Sequence, residues 1–173
     1  RAVGAKASLA ETTDQMNRSL AERVVEQLRA DIPATATVAV LGLSYKPASV
    51  VVEESQGIYL AKALSKAGLR VLGYDPLAND AARQELQYSG LVFDSLSDCL
   101  DQADVVIVAN PDPAFKSLVA ADFKPGARVV DFWRILSDAL SDQQTVRYTP
   151  YGRSQHADEH AAVLRALWEQ PLD

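Results

Sequence analysis

The stretch Thr37-Val38-Ala39-Val40-Leu41-Gly42-Leu43-Ser44-Tyr45-Lys46-Pro47 limits what this chain can fold into more than any other. An unbroken apolar run ended by glycine, then a polar loop and an apolar-periodic segment from about Ser55, predicts a fully buried strand over Val38–Leu43, a tight turn at Gly42 and a helix returning across a sheet. That is the first half of a βαβ unit. In such a unit loops meet at the carboxyl ends of the strands, where helix N-termini present free N–H groups and positive dipole ends. Lys46 falls on that edge. An ammonium there suits a phosphate or carboxylate; a solvated surface lysine is the other reading, and position alone does not choose.

The rest of the chain repeats the alternation. Arg70–Tyr74, Leu91–Phe93, Val105–Ala109 and Arg128–Asp131 read as strands. Ile58–Ala67, closed by Gly68, reads as a helix, as do Asn79–Tyr88, Leu96–Gln102 and, briefly, Phe115–Val119. After Val146–Tyr148 the segment Thr149-Pro150-Tyr151-Gly152-Arg153 reads as a turn, and His160–Trp168 as a last helix. Strands apolar throughout and separated by helices specify a parallel sheet covered on both faces, a doubly wound α/β domain. Ahead of it, Leu9, Met16, Leu20, Val24, Val25 and Leu28 recur at helical spacing. They predict one long amphipathic helix over Ser8–Ala30, or two with a break near Asn17-Arg18-Ser19, ended by Asp31-Ile32-Pro33. Its stripe needs cover from the following domain or from a partner subunit.

A net charge of -6 argues against nucleic acid or an anionic membrane as the main partner, since either demands a clustered basic surface. No apolar run reaches the roughly 20 residues that span a bilayer. Cys99 is the single cysteine, so no internal disulfide forms and a reducing, cytoplasmic setting is expected. The first residue is Arg1, which suggests a piece of a longer polypeptide.

Candidate chemistry is sparse. A dinucleotide-binding first turn carries three glycines, whereas only Gly42 follows this strand. The third-glycine position reads as bulkier residues. Glu53 and Glu54 read as the start of the helix, where carboxylates suit the dipole but repel a phosphate. The turn is therefore a poor home for NAD. Asp75, before Pro76, reads as a turn or cap residue in preference to a ribose-binding acid. Cys99 reads as a buried inert thiol. His156 and His160 have the i, i+4 spacing of a helical metal pair, without an evident third ligand, so no metal is expected. Arg134 follows a strand end and opens on the same edge as Lys46, either gripping an anion or joining a surface ion pair. Tyr45 offers a face for a base or ribose, or packs as an ordinary loop residue.

In order, residues 38–47, Glu54-Ser55, 68–76 (Gly-Leu-Arg-Val-Leu-Gly-Tyr-Asp-Pro), 103–108, 124–131 (Lys-Pro-Gly-Ala-Arg-Val-Val-Asp) and Tyr-Gly-Arg (151–153) resemble the C-terminal domain of the UDP-glucose/GDP-mannose 6-dehydrogenase family. The helix with Asn17 resembles the end of the central helix that joins that family's two Rossmann-like domains. The resemblance implies residues 1–33 as the end of a dimerisation helix and 34–173 as a nucleotide-sugar-binding domain. It implies a parent homodimer that oxidises the C6 hydroxyl of UDP-glucose or a similar sugar nucleotide to the uronate, reducing NAD. The family's NAD turn and catalytic cysteine lie outside this stretch, so the chain alone is expected to be inactive. Tyr45, Lys46 and Arg134 match residues that hold the nucleotide diphosphate. Where the family reads Asp-Thr-Asp-Asp-x-Arg-Glu-Ser, the chain reads Ala48-Ser49-Val50-Val51-Val52-Glu53-Glu54-Ser55, so Glu53 replaces an arginine that reaches the cofactor. A non-catalytic interaction or regulatory module on the same fold is the rival reading.

Overall fold

The computed structural model describes residues 7–152, 161 and 165. Helix α1 (Ser8–Asp31) leads into strand β1 (Thr37–Leu41), followed by α2 (Gln56–Lys66), β2 (Arg70–Tyr74), α3 (Asn79–Leu86), β3 (Leu91–Val92), α4 (Leu96–Gln102) and β4 (Val105–Val108). Two short 3-10 turns precede β5 (Arg128–Asp131), α5 (Ser137–Leu140) and β6 (Arg147–Pro150). The six strands form one sheet in the order β3-β2-β1-β4-β5-β6, every neighbouring pair parallel. The order reverses between β1 and β4, and the loops leaving these two strands diverge to opposite faces, which opens a crevice at the carboxyl edge.

The central strands alternate between two cores. Val38 and Val40 of β1, Val105 and Ile107 of β4 and Val130 of β5 face a cluster completed by α1, α2 and α3. Ala39 and Leu41, Val106 and Val108, and Val129 face a second cluster with Cys99, Leu100, Phe115 and Leu140. Both faces are covered, which is why the strands carry no polar alternation.

Helix α1 runs unbroken through Asn17-Arg18-Ser19. Its stripe divides: Ala21, Val24, Val25 and Leu28 are buried on the domain, whereas Leu9, Met16 and Leu20 stay exposed. Arg128 anchors the other end through Asp31 (3.1 Å). Helix α2 stops at Gly68, whose φ of 85° and N–H bond to the Ser65 carbonyl form the expected left-handed stop. Strand β1 ends at Leu41, because Gly42 already turns away (φ 91°). Helix α3 ends at Leu86, two residues before the expected Tyr88.

Two segments differ in kind from what their residues predict. The helix over Phe115–Val119 is instead a 3-10 turn at Pro113–Phe115, set by Asp112, whose carboxylate accepts from the Ala114 N–H. Thr149 and Pro150, expected in a turn, belong to β6. Arg147 and Tyr151 donate inward to β5, so residue 150 has the parity that faces outward, where proline's missing N–H leaves no ladder bond unmade. The expected helix over His160–Trp168, the pair His156 and His160, and Arg153 lie outside the described residues.

Candidate functional site

Four loops leave the carboxyl edge around the switch point, after β1, β2, β4 and β5, and the last three each carry a buried carboxylate. Asp75, 1% exposed just past β2, accepts from Leu43 and Ser44 N–H through one oxygen (2.9 Å each) and from Leu77 and Ala78 through the other (3.0 and 2.9 Å). It fixes its own turn and the Gly42 turn beside it, so the turn reading holds, although α3 begins after Ala78 without a side-chain cap, and no oxygen is left to present to a ribose. Asp112, in the loop after β4, accepts from Ala48 N–H (3.2 Å) and ties that loop to the one carrying Lys46. Asp131, at the end of β5, accepts from Trp133, Arg134 and Leu136 N–H and from the Tyr148 hydroxyl (3.0, 2.7, 2.9 and 3.1 Å).

Ser44 connects the loop carrying Lys46 to the loop after β4. Its hydroxyl donates to the Lys46 carbonyl (3.0 Å) and accepts from the Asn110 amide (3.0 Å), while its carbonyl accepts from the Ser55 hydroxyl (3.2 Å). Ser55 in turn caps α2 through Ile58 N–H. The helix therefore starts at Gln56, and no acid occupies its first turn. Glu53 and Glu54 precede the cap, a correction to the expectation that they open the helix. The third position of a fingerprint begun at Gly42 is Pro47, bulkier as expected, and the close helix packing comes from elsewhere: a Cβ on Gly57 would stand 2.1 Å from the Gly42 carbonyl oxygen. The spacing from Gly42 to Gly57 is far longer than a dinucleotide fingerprint, so no local motif revealed it.

The space over Gly42 is taken by Asn110, whose side chain would stand 2.5 Å from an added Cβ. A pyrophosphate has no room against that backbone, so the residues do not fit NAD at this turn. Cys99 is wholly buried in α4 and its thiol is pushed up to about 12 by burial, which removes it as a nucleophile.

Lys46 and Arg134 both stand exposed on the carboxyl edge and open into adjoining hollows. Lys46, Tyr45, Ser44, Asn110 and Glu54 line a polar one of about 600 Å³. Arg134 lines a more apolar one of about 340 Å³ with Leu60, Phe132 and Tyr151. Leu20, Gln56, Ala109 and Trp133 are walls of both. Arg134 takes a left-handed backbone (φ 57°) and donates to the Tyr151 carbonyl (3.2 Å). Glu54, on the wall of the hollow with Lys46, shares that strained conformation (φ 58°), as does Ala48 (φ 53°) two residues past Lys46. Glu53 lines neither hollow. Trp133 was not singled out by sequence; its position two residues past Asp131 was the available signal.

A doubly wound sheet whose switch-point loops hold cations over a divided crevice defines a small-molecule-binding α/β domain. The family model described as the UDP binding domain of the UDP-glucose/GDP-mannose dehydrogenase family matches residues 39–138. The chain belongs to that family. It is 34% identical to a UDP-glucose 6-dehydrogenase of Haloferax volcanii over 68% of its own length, and 31% identical to that of Rhizobium meliloti over 64%. Its fold matches a UDP-glucose dehydrogenase of Pyrobaculum islandicum with a TM-score of 0.63 at 27% identity, over 81% of the chain. The chain spans only 27%, 26% and 30% of these three proteins.

Proposed function

We propose that the crevice holds the diphosphate of a nucleotide sugar, and that the chain is the C-terminal part of an NAD-dependent 6-dehydrogenase acting on UDP-glucose or a similar sugar nucleotide. In that reading residues 1–33 end a central helix, residues 34–173 form the sugar-nucleotide domain, and NAD is held mainly by another domain. The observation that carries it is that Lys46 and Arg134 both stand exposed on one edge, each lining one of two hollows with a common wall. Lys46 neutralises the diphosphate, Arg134 grips the ribose side and Tyr45, 62% exposed, flanks the nucleotide. No described carboxylate is paired with Lys46, although Glu54 lines the same hollow and confines an anion to the lysine side.

Calorimetry with UDP, GDP and a sugar phosphate tests the reading. UDP should bind, and Lys46→Ala should weaken it by about 10-fold or more, the worth of a charge-assisted hydrogen bond. The rival, a non-catalytic module, draws on Glu53 in place of the family arginine and predicts no heat with any of the three.

The described residues contain no helix long and apolar enough to cross a membrane. The single cysteine, buried and unpaired, supports a cytoplasmic setting. Exposed Leu9, Met16 and Leu20 on α1 support a homodimer of the full-length protein; a monomer in light scattering would remove that part of the proposal.

A further inference from the structure

We propose that the apolar hollow beside Trp133 receives the nucleobase, with the indole as its stacking face. This rests on the nucleotide reading above and adds to it which part of the ligand lies where.

The indole is 54% exposed, a large apolar surface to leave in water. It is nonetheless held at two points. Its Nε1–H donates to the Ala109 carbonyl (2.9 Å) and its backbone N–H to Asp131 (3.0 Å). With the only polar atom of the side chain spent, the ring can offer a ligand carbon surface and nothing else. That selects stacking over hydrogen bonding. The adjoining walls agree: Leu20, Leu60 and Phe132 are hydrocarbon, and Phe132 meets the Tyr151 ring edge-on at 4.5 Å.

A sugar in this hollow would lose water from its hydroxyls and find few partners. The polar hollow, with Ser44, Asn110 and Glu54, suits hydroxyls far better. A flat base suits the apolar one, and Arg134 at its margin still has guanidinium N–H groups for a base carbonyl. Because Trp133 is a wall of both hollows, a base stacked on it is continuous with a diphosphate reaching toward Lys46.

The test uses the 173-residue chain carrying Trp168→Phe, which leaves Trp133 as its only tryptophan. UDP should change its fluorescence, whereas inorganic pyrophosphate, which lacks a base, should not. Trp133→Leu should weaken UDP about 10-fold or more and pyrophosphate far less than UDP, and Trp133→Phe should retain most of the UDP affinity. Unchanged UDP affinity in Trp133→Leu, with Lys46→Ala still weakening it, overturns the base assignment and leaves the nucleotide reading standing. Equal fluorescence change with pyrophosphate also overturns it. Failure of UDP to bind the unsubstituted chain removes both readings.

Discussion

Single carboxylates decide the shape of the crevice. Asp131 is wholly buried and satisfies three N–H groups of the loop that presents Trp133 and Arg134. Replacing it with alanine leaves those donors unpaired, each at about 1–3 kcal/mol. Asp131→Ala should lower the unfolding free energy by at least about 3 kcal/mol in urea titration; a loss under 1 kcal/mol would show that the loop is held some other way. Asp75 was legible as a turn residue because Pro76 follows it. Its grip on Leu43 and Ser44 was not, since that depends on the register that sets Tyr74 beside Leu41. Trp133 escaped notice for a similar reason: an aromatic after a strand looks like core until its exposure is seen.

Among the elements, those with strong periodicity or an apolar run were readable. Strands β2 and β5 and helix α4 have the bounds that their residues predict. The misreadings fall where a tertiary partner overrides a local signal. Pro150 signals a turn until the parity of β6 is known, and Phe115–Val119 has helical spacing until Asp112 draws the chain into a 3-10 turn. The contact of α2 with the first turn was invisible for the same reason. Gly57→Val places a branched side chain where the first carbon already meets the Gly42 carbonyl, so α2 or the Lys46 loop must move. Loss of 2 kcal/mol or more of stability, or of UDP binding at preserved stability, is expected; a variant unchanged in both would refute the close packing.

At the scale of the whole molecule, an ion pair ties the loop before β4 to the loop before β5. Asp104 accepts from Lys124 (2.7 Å) and from Thr37 N–H (2.9 Å), and these hold its carboxyl below the usual range, the lysine bond foremost. A carboxyl depressed in the folded state stabilises above its unfolded value near about 3.9 and loses that contribution as the pH falls through the folded value. Asp104→Asn should therefore lower stability at pH 7 and narrow the difference from the parent as the pH falls below about 4, read from urea midpoints. The gain is small because both groups are partly exposed. A gap that stayed constant with pH would show that the charge on Asp104 is irrelevant.

The two margins of the sheet differ from its middle. Strand β3 is two residues long, and β6 places Pro150 at its outward-facing parity. Neither offers a run of free donors on which a foreign strand could zip up, so the sheet resists growing sideways into fibrils. Flanks finished in this way give a second copy little on which to pair edge to edge.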